Sequence, residues 1–530
     1  MTAVHATANA TATASSSRSS LSAGNNEDIG EPPLSPSEQV EIELSKAREL
    51  PSSFMSSLSA WWGSSERASV DSELRLLRRL PFFRTENQPD VAPTASNSNP
   101  LTARVSQVPI PTPPSSSTRP TTDKRWINTL SISTPESRAP ENKKKAVVLT
   151  HGYGAAMGFM YRNWQVMGES ASEIGRSAYA IDWLGMGRSA RVDPKELEAG
   201  KKATVKERVE KAENFFLESL ESWREAQGIE VMTLIGHSLG GYLSTAYALK
   251  YPSRVDRLVL LSPAGIPENP YAPVNSEGVN IEEFEAAAKE LGEPQTAAVK
   301  GVKAQREGNT TPLEVKDSNH PPAVPGAGGV ESGEKKRDNI PKAPTGRSRQ
   351  LFAWAWEQGW SPFGIVRSLG PWGPMMVARY SSRRFAALSG EELRDMHDYC
   401  WSITRAKGSS EYCISHLLAP GAYARMPLVN RVDKLKIPVL FSCTYSQSIV
   451  DTRYHANSNT PLSDAADGDH DWMDIQGGRD AVKKMKEAGN NQGKVVEIPY
   501  AGHHLYLDNP KKTNAMLREE ILAAGKTQHA

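Results

Sequence analysis

The chain has 530 residues, 38% of them hydrophobic, and a formal net charge of +1. That length accommodates one large catalytic core with added segments, and the near-neutral balance gives no argument for nucleic-acid binding. The three cysteines, Cys400, Cys413 and Cys443, form no C-x-x-C pair, so neither a disulfide framework nor a zinc site is indicated, and no run of about 20 apolar residues marks a bilayer span.

Residues 1–51 read as a disordered N-terminal region. Within them, residues 1–26 are rich in Ala, Ser and Thr and contain Arg18 but no acid, which fits either a mitochondrial targeting segment or a plain tail. Residues 52–83 change character: Phe54, Met55, Trp61 and Trp62 precede a leucine-rich stretch carrying Arg75, Arg78 and Arg79. Neighbouring indoles beside arginines predict a membrane-interface segment, with Trp61 and Trp62 as the contacts; a helix packed on the main domain is the other reading. Residues 84–124 hold many Pro, Ser and Thr residues and read as a linker.

The core is expected over 125–266 and 431–525. Strands are predicted at Ile127–Ile132, Lys145–Thr150, Ala178–Trp183, Val231–Ile235, Val255–Leu261, Lys436–Phe441 and Lys494–Pro499. A helix is predicted from Val205 to Gln227, ending at Gly228, and another over Leu243–Leu249. Strands alternating with helices predict an α/β protein with a mostly parallel, doubly wound sheet. Residues 267–347 form a low-complexity insertion, and the aromatic, helical stretch 348–430 predicts a cap inserted before the last two strands.

The most informative motif is Gly236-His237-Ser238-Leu239-Gly240, placed between a predicted strand and a predicted helix. Such a G-x-S-x-G turn lifts a nucleophilic serine above a sheet, so Ser238 is the expected nucleophile. A serine hydroxyl needs a base and a third group that orients the base. His503, after Gly502 in the turn beyond the last strand, is the expected base, and the adjacent His504 would point elsewhere. Asp471 is the expected acid, with Asp469 and Asp474 as rivals. The oxyanion hole is expected from the N–H groups of Leu239 and of Tyr153, in the loop His151-Gly152-Tyr153-Gly154, with His151 as an orienting group. The glycine-rich loop Asp182–Ser189 lacks G-x-G-x-x-G spacing and is read as a pocket wall rather than a dinucleotide site. His470 and its acidic neighbours are read as part of the acid loop, so no metal and no cofactor are expected.

The elbow GHSLGG, the loop HGYGAAMGFMYRNW, the strand and loop IDWLGMGRS and the ending AGHHLYLD together resemble a lipid-enzyme group of the α/β-hydrolase fold. That group includes the fungal mitochondrial cardiolipin-specific deacylase, yeast and plant lysophosphatidic-acid acyltransferases, and the lipid-droplet coactivator of triglyceride lipase. The resemblance covers roughly residues 55–83, 126–266 and 348–520. It implies that the tryptophan-bearing stretch is an anchor and that His503 and Asp508 match the group's H-x4-D acyltransferase motif. The coactivator lacks the nucleophile, whereas this chain has Ser238, so the resemblance implies catalysis. The segment DWMDIQGG, Asp471 to Gly478, leans toward the deacylase.

The resemblance implies a phospholipid deacylase acting through Ser238, His503 and Asp471, peripheral on the mitochondrial inner membrane. Its alternatives are a lysophospholipid acyltransferase and a non-catalytic lipid-surface coactivator, in the cytoplasm or on lipid droplets. A phospholipid substrate and a membrane surface are the expected partners; no protein partner is indicated. One departure from the group stands out. Residues 443–467 separate the strand ending Phe441-Ser442 from the acid loop, as a surface insertion or as sequence from an unspliced intron.

Overall fold

The computed structural model describes residues 50–111, 124–140, 142–200, 202–269, 347–388, 390–444 and 475–526. Among these residues eight strands form one sheet: β1 (Thr102–Ile110), β2 (Arg125–Ser133), β3 (Lys145–Thr150), β4 (Ser177–Ile181), β5 (Val231–His237), β6 (Val255–Leu261), β7 (Val439–Thr444) and β8 (Gly493–Ile498). Their spatial order is β1-β2-β4-β3-β5-β6-β7-β8, parallel from β4 to β8 and antiparallel at the β1 and β2 edge. This is the doubly wound α/β-hydrolase sheet expected from the sequence.

Strand β3, most of β5 and the Leu258–Leu261 half of β6 are apolar because both faces of a central parallel sheet are covered. Val148, Leu234 and Leu260 enter one core, whereas Val147, Leu149, Ile235 and Leu261 enter the core on the opposite face. Each such buried aliphatic side chain contributes about 1.5–3 kcal/mol. The helix Val205–Ala226 starts with a Thr204–Glu207 capping box. It stops at Gly228, whose φ of 69° suits a left-handed C-terminal turn. Its Trp223 donates Nε1–H to Thr129 Oγ1 at 2.9 Å and so fixes the helix against β2.

Two expectations are corrected. Residues 102–110, placed within a linker, form β1. Val105, Val108 and Ile110 supply apolar positions, and Pro109 is tolerated because β1 is the edge strand and its bridge to Phe83 is confined to Ala103. The presumed insertion cannot begin at 443, because Cys443 and Thr444 belong to β7 and pair with Glu497 and Ile498. Residues 445–474 lie outside the described residues, as does most of the low-complexity insertion.

The N-terminal segment folds as two helices, α1 (Phe54–Trp62) and α2 (Glu66–Leu77). Helix α2 is held on the main body. Leu76 and Leu77 are fully buried, Arg75 pairs with Asp395 and Asp398, and Arg79 pairs with Asp395. These two arginines, expected with Arg78 to stand beside the indoles in a membrane-interface segment, are thus engaged within the protein. Trp62 is 80% exposed, whereas Trp61 is half-buried against the core.

The cap lies in sequence between β6 and β7, as expected, and is built from helices that include Pro362–Ser368, Gly373–Arg384 and Gly390–Arg405. Among the described residues, no helix is long and apolar enough to cross a membrane.

Candidate active site

Ser238 sits between β5 and the helix Leu239–Lys250, with φ 52° and ψ −118°. A non-glycine residue holds such a conformation only when its surroundings impose it. Here they do: Ser238 N–H donates to the Leu261 carbonyl, and the Ser238 carbonyl accepts from Ala264 N–H, both at 3.0 Å. The strand and helix backbones also pass too close for side chains. A Cβ on Gly236 would stand 2.6 Å from the Gly240 carbonyl oxygen, and one on Gly240 would stand 2.6 Å from that of His151.

His503 Nε2 lies 3.0 Å from Ser238 Oγ, the pairing expected of base and nucleophile. The two residues are 265 positions apart in sequence, and the sheet brings them together. Asp471 lies outside the described residues, as do Asp469 and Asp474.

Leu239 and Tyr153, whose N–H groups are the expected oxyanion donors, lie on the elbow and on the loop packed against it. Leu239 opens its helix, where N–H groups have no partner within the helix. Among the described residues, neither the Leu239 nor the Tyr153 N–H donates to another group. Gly152 brings the Tyr153 loop against the elbow, since a Cβ there would lie 2.9 Å from Ser238 Cβ. His151 fixes that loop from below. Its Nε2 accepts from Trp183 N–H at 3.1 Å, its Nδ1 lies 2.8 Å from the Gly152 carbonyl, and its own carbonyl accepts from Trp183 Nε1–H. Burial pushes the imidazole below its usual pKa, so it is a neutral orienting group. Cap aromatics close over the loop: Trp356 and Phe363 both meet the Tyr153 ring edge-on. Gly154 has φ 74° and leaves room for the Phe363 ring, 2.9 Å from where a Cβ would sit.

His504 turns away from Ser238, as expected. Its Nδ1 accepts from Arg384 Nε–H at 2.5 Å, and burial with the neighbouring guanidinium keeps it neutral. Asp508 directs its hydrogen bonds elsewhere than to the His503 ring. It accepts from Gly502 N–H at 3.0 Å and from Arg384 at 3.3 and 3.4 Å. The H-x4-D spacing therefore closes the histidine turn on itself and ties it to the cap.

Two groups escaped the sequence reading. Arg384 belongs to a helix more than a hundred residues before the turn it grips, so no local pattern marks it. His237 occupies the variable position before Ser238, and its Nε2 meets the His503 carbonyl at 2.9 Å. Burial, then His503, depresses the pKa of His237. A neutral ring with its proton on Nε2 thus braces the backbone of the base.

A family described as the alpha/beta hydrolase fold matches residues 145–314. A 1-acylglycerol-3-phosphate O-acyltransferase of Homo sapiens is 43% identical over 382 residues, covering 71% of this chain and 78% of that protein. The 1-acylglycerol-3-phosphate O-acyltransferase of Arabidopsis thaliana is 29% identical over 394 residues, covering 73% and 68%. The (lyso)-N-acylphosphatidylethanolamine lipase of Homo sapiens is 27% identical over 406 residues, covering 76% and 84%. With its sheet, elbow and these relatives together, the chain belongs to the α/β-hydrolase family, in a group of lipid-acting enzymes.

Proposed function

We propose that the protein is a serine hydrolase that removes an acyl chain from a phospholipid at a membrane surface, a deacylase of the cardiolipin type. The observation that carries this reading is Ser238 Oγ at 3.0 Å from His503 Nε2, beside two backbone N–H groups without partners among the described residues. Ser238 attacks the ester carbonyl while His503 takes its proton, and the Leu239 and Tyr153 N–H groups hold the oxyanion. His503 then protonates the leaving lysolipid oxygen. Water, deprotonated by His503, cleaves the acyl-enzyme and releases the fatty acid. Asp471 is assigned to orient His503.

The cardiolipin preference and a mitochondrial inner-membrane location rest on the resemblance of residues 471–478 and on the acid-poor N-terminus. Membrane contact is supported by apolar side chains left in solvent on adjoining elements. Met55 and Trp62 on α1 are 70% and 80% exposed, and the Phe54 ring packs on the half-exposed Trp372 of the cap.

Acyl transfer to a lysophospholipid is the second reading, favoured by the activity for which the acyltransferase relatives are named. The same acyl-enzyme would serve it. Product analysis with purified protein, phospholipid and lysophospholipid decides between them. Hydrolysis yields free fatty acid and lysolipid in equal amounts, and newly esterified phospholipid as the main product would overturn the deacylase reading.

A further inference from the structure

A pocket opens beside the oxyanion loop, bounded by Gly154, Gly185, Gly187, Phe363, Arg191 and Glu411. It begins close to the chemistry. Gly154 is two residues from Gly152, which abuts Ser238, so the wall starts within about 7 Å of that contact.

Arg191 is the unusual member. Its guanidinium donates to the Gly185 and Gly187 carbonyls, two of its five N–H groups, and among the described residues it pairs with no carboxylate. Partial burial lowers its pKa. The other charges in the pocket balance. Glu411 is paired with Arg367 and also accepts from Ser361 Oγ at 2.8 Å. Asp182, which packs behind Gly187, and Glu411 act on Arg191 through space without a direct ion pair, so the guanidinium keeps donors to spare beside the cavity. Guanidinium N–H groups not engaged by the protein are available to an anion that enters the pocket. The planar guanidinium suits a phosphate, which can accept from it at two oxygens. Phe363 on the pocket wall, with Ile403 and Met186, gives apolar surface for the carbon skeleton beside that phosphate.

We infer that this pocket is an anion subsite that takes a phosphate group, with Arg191 as its principal contact, and that in turnover the phosphate is that of the substrate headgroup. The assignment of the headgroup rests on the phospholipid reading above. It places the phosphate on one side of Ser238 and so sets which acyl ester reaches the nucleophile.

The test compares 1-acylglycerol 3-phosphate with the 1-acylglycerol of the same chain, using the full-length protein and its Arg191→Gln and Arg191→Lys variants. The ratio of kcat/KM values between the two substrates should fall about 10- to 100-fold in R191Q, the range of one charge-assisted hydrogen-bonded pair, with the loss mainly in KM. R191K should retain part of the preference. Equal losses on both substrates, leaving the ratio unchanged, would make Arg191 only a brace for the glycine loop and overturn the assignment.

A second arm needs no variant. In the unaltered protein, inorganic phosphate should compete with 1-acylglycerol 3-phosphate but leave p-nitrophenyl butyrate hydrolysis unaffected, at ionic strength matched with chloride. Absence of competition would overturn the subsite even if R191Q fails to fold. Calorimetry separates the two claims. Phosphate binding that R191Q abolishes, without turnover of any phospholipid, would keep the subsite for a free phosphate compound and refute the lipid reading. Phospholipid turnover without phosphate binding would do the reverse.

Discussion

Gly152→Ala tests the geometry of the oxyanion loop at its tightest point. An added Cβ would lie 2.9 Å from Ser238 Cβ, 3.0 Å from His237 Nδ1 and 3.3 Å from the His237 carbonyl oxygen. Carbon atoms in favourable contact stand about 3.5–4.0 Å apart, so the loop and elbow must separate by roughly 0.6–1.1 Å. Neither side can yield freely. Ser238 is tied through its backbone to Leu261 and Ala264, and His237 meets the His503 carbonyl. The Tyr153 N–H must therefore move away from the oxyanion position, and a misplacement near 1 Å costs about 10²-fold in rate. Overpacking should also lower stability by about 1–3 kcal/mol. Hydrolysis of p-nitrophenyl butyrate and thermal melting measure the two effects. Gly200→Ala, where a Cβ meets nothing within 4 Å, is the control and should change neither. A folded Gly152→Ala protein keeping more than a third of wild-type activity would refute the reasoning.

His237→Phe removes the donor that holds the His503 carbonyl. Activity should fall by about tenfold or more and the melting temperature should drop, because a poorly solvated carbonyl left unpaired costs about 1–3 kcal/mol; His237→Gln, which can restore an N–H, should recover part of both. Trp62→Ala should weaken co-sedimentation with anionic liposomes far more than cleavage of a soluble short-chain ester, since this indole is exposed and outside the site; parallel losses would assign it to the folded core. Glu73 on α2 has its carboxyl pushed up to about 7, first by burial and then by Asp182. A raised folded-state pKa gives stability that is complete below the unfolded value and lost as pH rises through 7. The melting temperature of wild type relative to Glu73→Gln should therefore decline between pH 5 and pH 8, and a flat difference would contradict the assignment.

The parts of the fold legible in the sequence are those with local causes. The bounds of β3 are legible because its apolar run starts after a lysine cluster and ends at the His151-Gly152 turn, and those of β6 because it runs from the Pro252 turn to the Ser262-Pro263 turn. The elbow, the loop after β3 and His503 were legible because a strained turn, a close backbone approach and a post-strand histidine each demand particular residue types within a few positions. Edge strand β1 was hidden by its Ser- and Pro-containing composition, which an edge position tolerates. The roles of Arg384, Asp508 and His237 were hidden for another reason. Each is set by a contact with a partner brought near by the tertiary fold, and spacing along the chain is silent about it. Asp508 is the instructive case: the H-x4-D pattern identified the residue, while its hydrogen bond to Gly502 and its pairing with Arg384 give it the role of holding the turn.

The most direct test of the central claim is release of free fatty acid from phospholipid vesicles by the purified protein, compared with Ser238→Ala at matched folding. The account predicts stoichiometric fatty acid and lysolipid from the wild type and a loss of at least about 10³-fold in the variant, with its melting temperature preserved. A folded Ser238→Ala protein that retains a tenth or more of the activity would contradict Ser238 as the nucleophile.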